Sequence, residues 1–219
     1  MTRHNSYTGL PIIQWRSDPE MKNKLLLAVL LATTSITACS GVMDSAKPAR
    51  QTYMLMPLVS PPGADDGQNQ VLSVSLGAIP GLDTDHIQAL DNDAQLKQYA
   101  NARWPDHLPE VLASVMQRSL TASGQFSAVG QSSRAKGDGW LLQLEAQKFY
   151  GLQSATGSTS SVVVEIGGSI ECAGKKGSFT LSDTQAVNED RLSEVVAAHQ
   201  RGLNDVTRQL LEIINGECS

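Results

Sequence analysis

A basic, apolar, then cysteine-bearing run near the N-terminus decides how much of this chain is left to fold. From Met21 the sequence reads MKNKLLLAVLLATTSITAC, with Lys22 and Lys24 ahead of an apolar stretch over residues 25–32. A short positive segment followed by a short apolar one is the pattern of a secretory signal. A bilayer span needs roughly 20 apolar residues, so a retained transmembrane helix is the weaker reading. Ile36, Thr37, Ala38 and Cys39 have the form of a lipobox: a branched aliphatic residue, two small residues that fit a peptidase cleft, and a cysteine whose thiolate takes a diacylglycerol group. Residues 1–38 are therefore expected to be a signal peptide with an upstream extension, residues 39–50 a lipidated tether, and residues 51–219 one folded domain. Ser40, rather than Asp, after the cysteine is the pattern of lipoproteins exported outward, which points to the periplasmic face of the outer membrane. Acyl chains contribute about 0.8 kcal/mol per buried CH₂, so several of them anchor a protein stably. No cofactor is expected beyond the covalent diacylglycerol and acyl chain on Cys39.

The periplasm is oxidising, and this bears on the remaining cysteines. With Cys39 lipidated, Cys172 and Cys218 are the pair left and are expected to form a disulfide. The alternative is one buried free thiol and one frayed terminal one. Of the 17 basic residues four lie in residues 1–38, and of the 22 acidic residues two do, leaving a net charge of about −7 on the remainder. Nucleic acid is excluded as a partner, because phosphate neutralisation needs a basic stripe. An apolar fraction of 41% with 18% charged residues fits a globular domain.

Periodicity places the elements. Residues 53–59 and 71–79 are short apolar segments read as strands, separated by the turn-rich residues 60–67. Residues 86–90 and 95–103 flank Asp91, Asn92 and Asp93, which suggests a hairpin, with a helix open for the second arm. Leu108, Val111, Leu112, Val115, Met116 and Leu120 repeat at helical spacing, with Asp106 available as N-cap, Pro109 in the first turn, and Ser123-Gly124 to end it. Three strands follow in expected antiparallel order at 140–150, 162–172 and 178–187. In the middle one Val162, Val164, Ile166, Ile170 and Cys172 share a face. Gly167 and Gly168 mark a bulge or a close backbone approach there. A last helix from near Asp190 carries Leu192, Val195, Val196, His199, Leu203, Val206, Leu210, Ile213 and Ile214 in one stripe, with Gly202 as a loosening point and Gly216 placed to end it. The fold class expected is α+β: a single domain with a mixed, mostly antiparallel sheet and two main amphipathic helices packed on it.

Catalytic signatures are missing. No GxSxG, HExxH or GxGxxG run occurs. Gly168 and Gly174-Lys175 resemble fragments of a P-loop, one residue too far apart. Asp85-His86 with Ser73 imitates part of a triad, and His199 is read as a core histidine. His86, His107 and His199 are scattered, so no metal is expected. Asp83, Asp85, Asp91 and Asp93 do not have EF-hand spacing. The chain is read as a non-enzyme.

The run Tyr53-Met54-Leu55-Met56-Pro57-Leu58 after a lipobox, followed by a hairpin leading to Arg103-Trp104 and an amphipathic helix, resembles the ABC-type transport auxiliary lipoproteins, the PqiC-like group. That family commonly has Arg-Trp-Ala-Glu-Pro-Leu where this chain has Arg103-Trp104-Pro105-Asp106-His107-Leu108. The resemblance implies a non-catalytic docking component of an envelope transport system for lipids or other apolar molecules. It implies as partners an MCE-domain protein that spans the periplasm and an inner-membrane ABC permease and ATPase, and it admits a homo-oligomer. Trp104 is read as a core residue ahead of a partner contact. The alternative is a structural or assembly lipoprotein of a secretion or surface-organelle complex, and a periplasmic hydrolase is a third reading.

Overall fold

In the computed structural model, residues 49–59, 68–132, 134 and 137–218 are described. The lipobox, Cys39 and most of the tether lie outside the described residues, as does the turn-rich stretch 60–67. Strand β1 (Gln51–Thr52) is followed by β2 (Gln68–Ala78), β3 (His86–Leu90), β4 (Leu96–Arg103) and helix α1 (Leu108–Ala122). Then come β5 (Phe126–Gln131), β6 (Trp140–Gln153), β7 (Thr159–Cys172), β8 (Lys175–Ala186) and helix α2 (Leu192–Glu217). The fold is α+β, with an eight-stranded mixed sheet and both helices packed against it.

The antiparallel ladders β6–β7 and β7–β8 are the longest in the sheet. Around them β2 runs parallel to both β6 and β5, and β1 parallel to β4. Because β7 occupies one edge of β6, β2 and β3 share the other: β2 pairs with 140–146, and β3 joins at Gly151 and Leu152. The chain between them makes a 3-10 turn at Pro80–Leu82, so β2 and β3 together act as one interrupted strand.

The alternation in β7 does what its sequence demands. Val162, Val164, Ile166, Ile170 and Cys172 are all at most 3% exposed and meet the helix layer. Gly168 sits in a close approach: a Cβ there would stand 2.7 Å from the Gln143 carbonyl oxygen and 2.9 Å from Phe179. The two irregularities in that ladder lie elsewhere, on β6 between Ala146 and Lys148, and opposite Leu152 and Gln153, where β7 steps from Ser161 to Thr159. Gly168→Ala is expected to cost about 1–3 kcal/mol, because a backbone oxygen yields poorly to overpacking. Gly77→Ala, with open space around it, is the near-neutral control, and urea unfolding of both checks the contrast.

The stripe of α1 is buried as its spacing implies, and α2 buries Val195, His199, Leu203, Val206, Leu210 and Ile214. Gly202 belongs to packing rather than to loosening: its missing Cβ lets α2 approach Val164, whose Cγ2 would lie 2.9 Å away. Asp91 seats the hairpin turn, its Oδ1 accepting from the amides of Asp93 and Gln95, and the second arm is strand β4.

Four local expectations are corrected. Residues 53–59 are extended but outside the ladder except for Tyr53 N–H, which donates to Arg103 O. The N-cap of α1 is His107, with no side-chain cap, and Asp106 accepts only from the His107 amide. Gly216 lies inside α2, which runs on to Glu217 with Cys218 as C-cap. Strand β5 was not expected, because its burial does not alternate and it is held by parallel backbone pairing with β2.

Candidate docking surface

The family-like pair Arg103-Trp104 ends β4 and enters α1. Trp104 is 1% exposed and presents its ring edge-on to Phe149 at 5.9 Å and to His199 at 5.6 Å. Its amide donates to Asp85 O at 2.7 Å. Trp104 is thus a pillar between sheet and α2, which fits the core reading. Arg103 is half-exposed and stands 3.8 Å from the Asp85 carboxylate.

His199 is wholly buried beside these rings, its Nδ1 donating to Val195 O at 2.9 Å. Desolvation lowers its pKa from 6.5 to about 4, so the ring is neutral in the folded chain at neutral pH. The unfolded chain takes up a proton below about 6.5 while the folded one does not until about 4, so stability is full above that window and falls as pH drops through it. The loss is expected to reach about 3 kcal/mol. His199→Leu should flatten stability against pH between 6.5 and 4; an unchanged slope would remove His199 as its source.

The next residue, Gln200, faces outward and organises the surface. Its Oε1 accepts from Met56 N–H at 2.7 Å and its Nε2 donates to Met56 O at 2.9 Å, so one side-chain amide replaces a strand partner. Leu58 N–H donates to Ser119 Oγ on α1 at 2.9 Å. Residues 53–59 therefore form a strap across both helices, with the backbone N–H and C=O of Met56 and the N–H of Leu58 satisfied by helix side chains. Leu55 is buried beneath it, whereas Met54, Met56 and Val59 are 63%, 60% and 76% exposed. Between strap and α1 lies a groove of about 210 Å³ whose lining includes the apolar Met54, Leu55 and Val115 and the charged Asp106, Glu110 and Arg118. Methionine is unbranched and polarisable, and adapts to varied apolar partners. Sequence reasoning took this segment for a strand; Pro57, which lacks an amide donor, was the one signal against it.

The other expected site residues lie elsewhere. Cys172 and Cys218 are joined in a disulfide, with Cα atoms 5.7 Å apart, which ties the end of α2 to β7. Ser73 is buried and pairs with Leu141 near the start of β6, while β3 meets β6 at its far end. Ser73 is thus not assembled with Asp85-His86. Gly168 lies within β7 and Gly174 in the β7–β8 turn, so they form no loop leading into a helix. His107 is exposed and hydrogen-bonded to Asp83 at 2.9 Å, which raises its pKa. Among the described residues no group of three His, Cys, Asp or Glu side chains is placed to hold a metal, and no helix is long and apolar enough to cross a membrane.

The fold is similar to that of protein XCC0632 from Xanthomonas campestris, of the family DUF330, at a TM-score of 0.64 and 21% identity, covering 76% of this chain and 97% of that one. It is likewise similar to an uncharacterized protein of known crystal structure, at a TM-score of 0.61 and 16% identity, over 76% of this chain and 99% of the other. No curated protein matches the sequence. Residues 53–210 match the model of the ABC-type transport auxiliary lipoprotein component, and with most of the strap, both helices and the sheet inside that span, the chain belongs to this family.

Proposed function

We propose that this chain is a lipid-anchored, non-catalytic docking component of an ABC and MCE-type transport system, held at the periplasmic face of the outer membrane and serving the movement of lipids or other apolar molecules. Family membership supports the transport-associated role. The observation that carries the docking reading is the strap, where Met54, Met56 and Val59 stay exposed over a well-packed helix layer. Anchoring at Cys39 confines this face near the membrane and raises its effective concentration for a partner that crosses the periplasm. Affinity per contact is then free to be modest.

Photo-crosslinkers placed at Met54, Met56 and Val59 in native cells test the reading. Recovery of an MCE-domain protein is the expected outcome. Recovery of secretion or surface-organelle components in its place would favour the assembly-lipoprotein alternative. Cys39→Ala should leave the domain folded and abolish function in the cell; full activity from the unanchored chain would end the tethering argument.

A further inference from the structure

The last strand of the sheet leaves one long edge open. Among the described residues, strand β8 pairs with β7 alone, over twelve residues without a register shift or a proline. Antiparallel ladders alternate residues that bond to the partner strand with residues that point away. Val187 N–H donates to Ser160 O in the same register, so the odd-numbered residues of β8 bond inward. Lys176, Ser178, Thr180, Ser182 and Thr184 therefore direct their N–H and C=O groups outward, and all five are exposed. The outward carbonyl of Ala186 is already taken by Arg201 at 3.1 Å, which bounds the free stretch at that end. Edges of soluble proteins are usually blunted by lysines, prolines or bulges. Here only Lys175 and Lys176 do so, both at the hairpin end.

We propose that this edge pairs with β8 of a second copy of the chain, antiparallel about a two-fold axis through Phe179. Such an axis, normal to the sheet, keeps the helix face of one copy continuous with that of the other. It sets Lys175 opposite Asp183 of the second copy, twice, on the helix-side face. It also sets Ser178 opposite Thr180 and Lys176 opposite Ser182 on the open face. Opposite charges and hydroxyl pairs directly across an antiparallel ladder are favourable. The charge order, basic at one end of β8 and acidic towards the other, is self-complementary only in this antiparallel sense, and that identifies a second copy as the occupant. The edge is also held in shape in advance, since the Cys172–Cys218 bridge fastens α2 beside the β7–β8 turn. This pairing is independent of the transport role and leaves the strap free.

The test uses the full-length chain in detergent, with amide hydrogen exchange and sedimentation followed over a concentration series. The amides of Ser178, Thr180 and Ser182 are expected to gain protection as concentration rises. Thr180→Pro removes an outward donor, which the β7 ladder does not use, and should weaken association by roughly tenfold or more. Lys175→Asp, at an exposed position, should weaken it as well, and Lys175→Asp/Asp183→Lys should restore it. Exchange at these amides that is independent of concentration would overturn the proposal. So would association unchanged by Thr180→Pro and Lys175→Asp, or protection that appears only when a different protein is added. Formation of the disulfide and the far-UV circular dichroism of each variant report that it has folded.

Discussion

Replacing both Cys172 and Cys218 by Ser is expected to lower the free energy of unfolding by about 4 kcal/mol. The bridge spans a sequence separation of 46, and closing a loop of that length removes conformational freedom chiefly from the unfolded chain. That is a large fraction of a typical domain's total of roughly 5–15 kcal/mol. The native consequence is local. Cys172 is buried on the helix face of β7, and Cys218 is the C-cap of α2, so without the bridge only the last turns of α2 lose their tie to the sheet. Urea unfolding of the oxidised chain, the reduced chain and the double variant measures this. Equal midpoints for all three would show that the bridge carries no stability.

Trp104→Ala is expected to cost about 3–5 kcal/mol, the range for removing a large buried aromatic. The side chain is 1% exposed and bridges β4 to Phe149 and His199, so its loss leaves a cavity where sheet and α2 meet. Trp104→Phe should recover a good part of this by keeping a ring against Phe149. Arg103→Gln, beside it, should cost under about 1 kcal/mol, because the Arg103–Asp85 pair is largely solvated. Chemical denaturation of the three variants separates the two halves of the motif. If Trp104→Ala were nearly neutral, its packing role would be wrong.

The helices and the central strand were legible because their side chains repeat with the period of the element. Leu108 to Leu120 and Val195 to Ile214 are buried along one stripe each, and alternate residues of β7 fill the core. The Asp91-Asn92-Asp93 turn was legible for a different reason: an aspartate side chain accepts amides two and four residues on, and it does so here. The role of Trp104 in the core followed from its place just ahead of an amphipathic helix. The strap was not legible, since Gln200 and Ser119, which satisfy its backbone, lie far away in the chain. Gly202 read as a weakness for want of its neighbour Val164, and His107 displaced Asp106 as the cap of α1 without any side-chain signal.

By itself the sequence determined which residues turn inward, where the hairpin folds and which family the chain resembles, because burial leaves a periodic mark in side-chain type. Only the tertiary structure decided which backbone finds which. The parallel pairing of β2 with β5 and β6, the strap on α1 and α2, and the open edge of β8 rest on main-chain N–H and C=O groups. Every non-proline residue carries those groups alike, so their partners are chosen by packing and leave no signature in the order of amino acids.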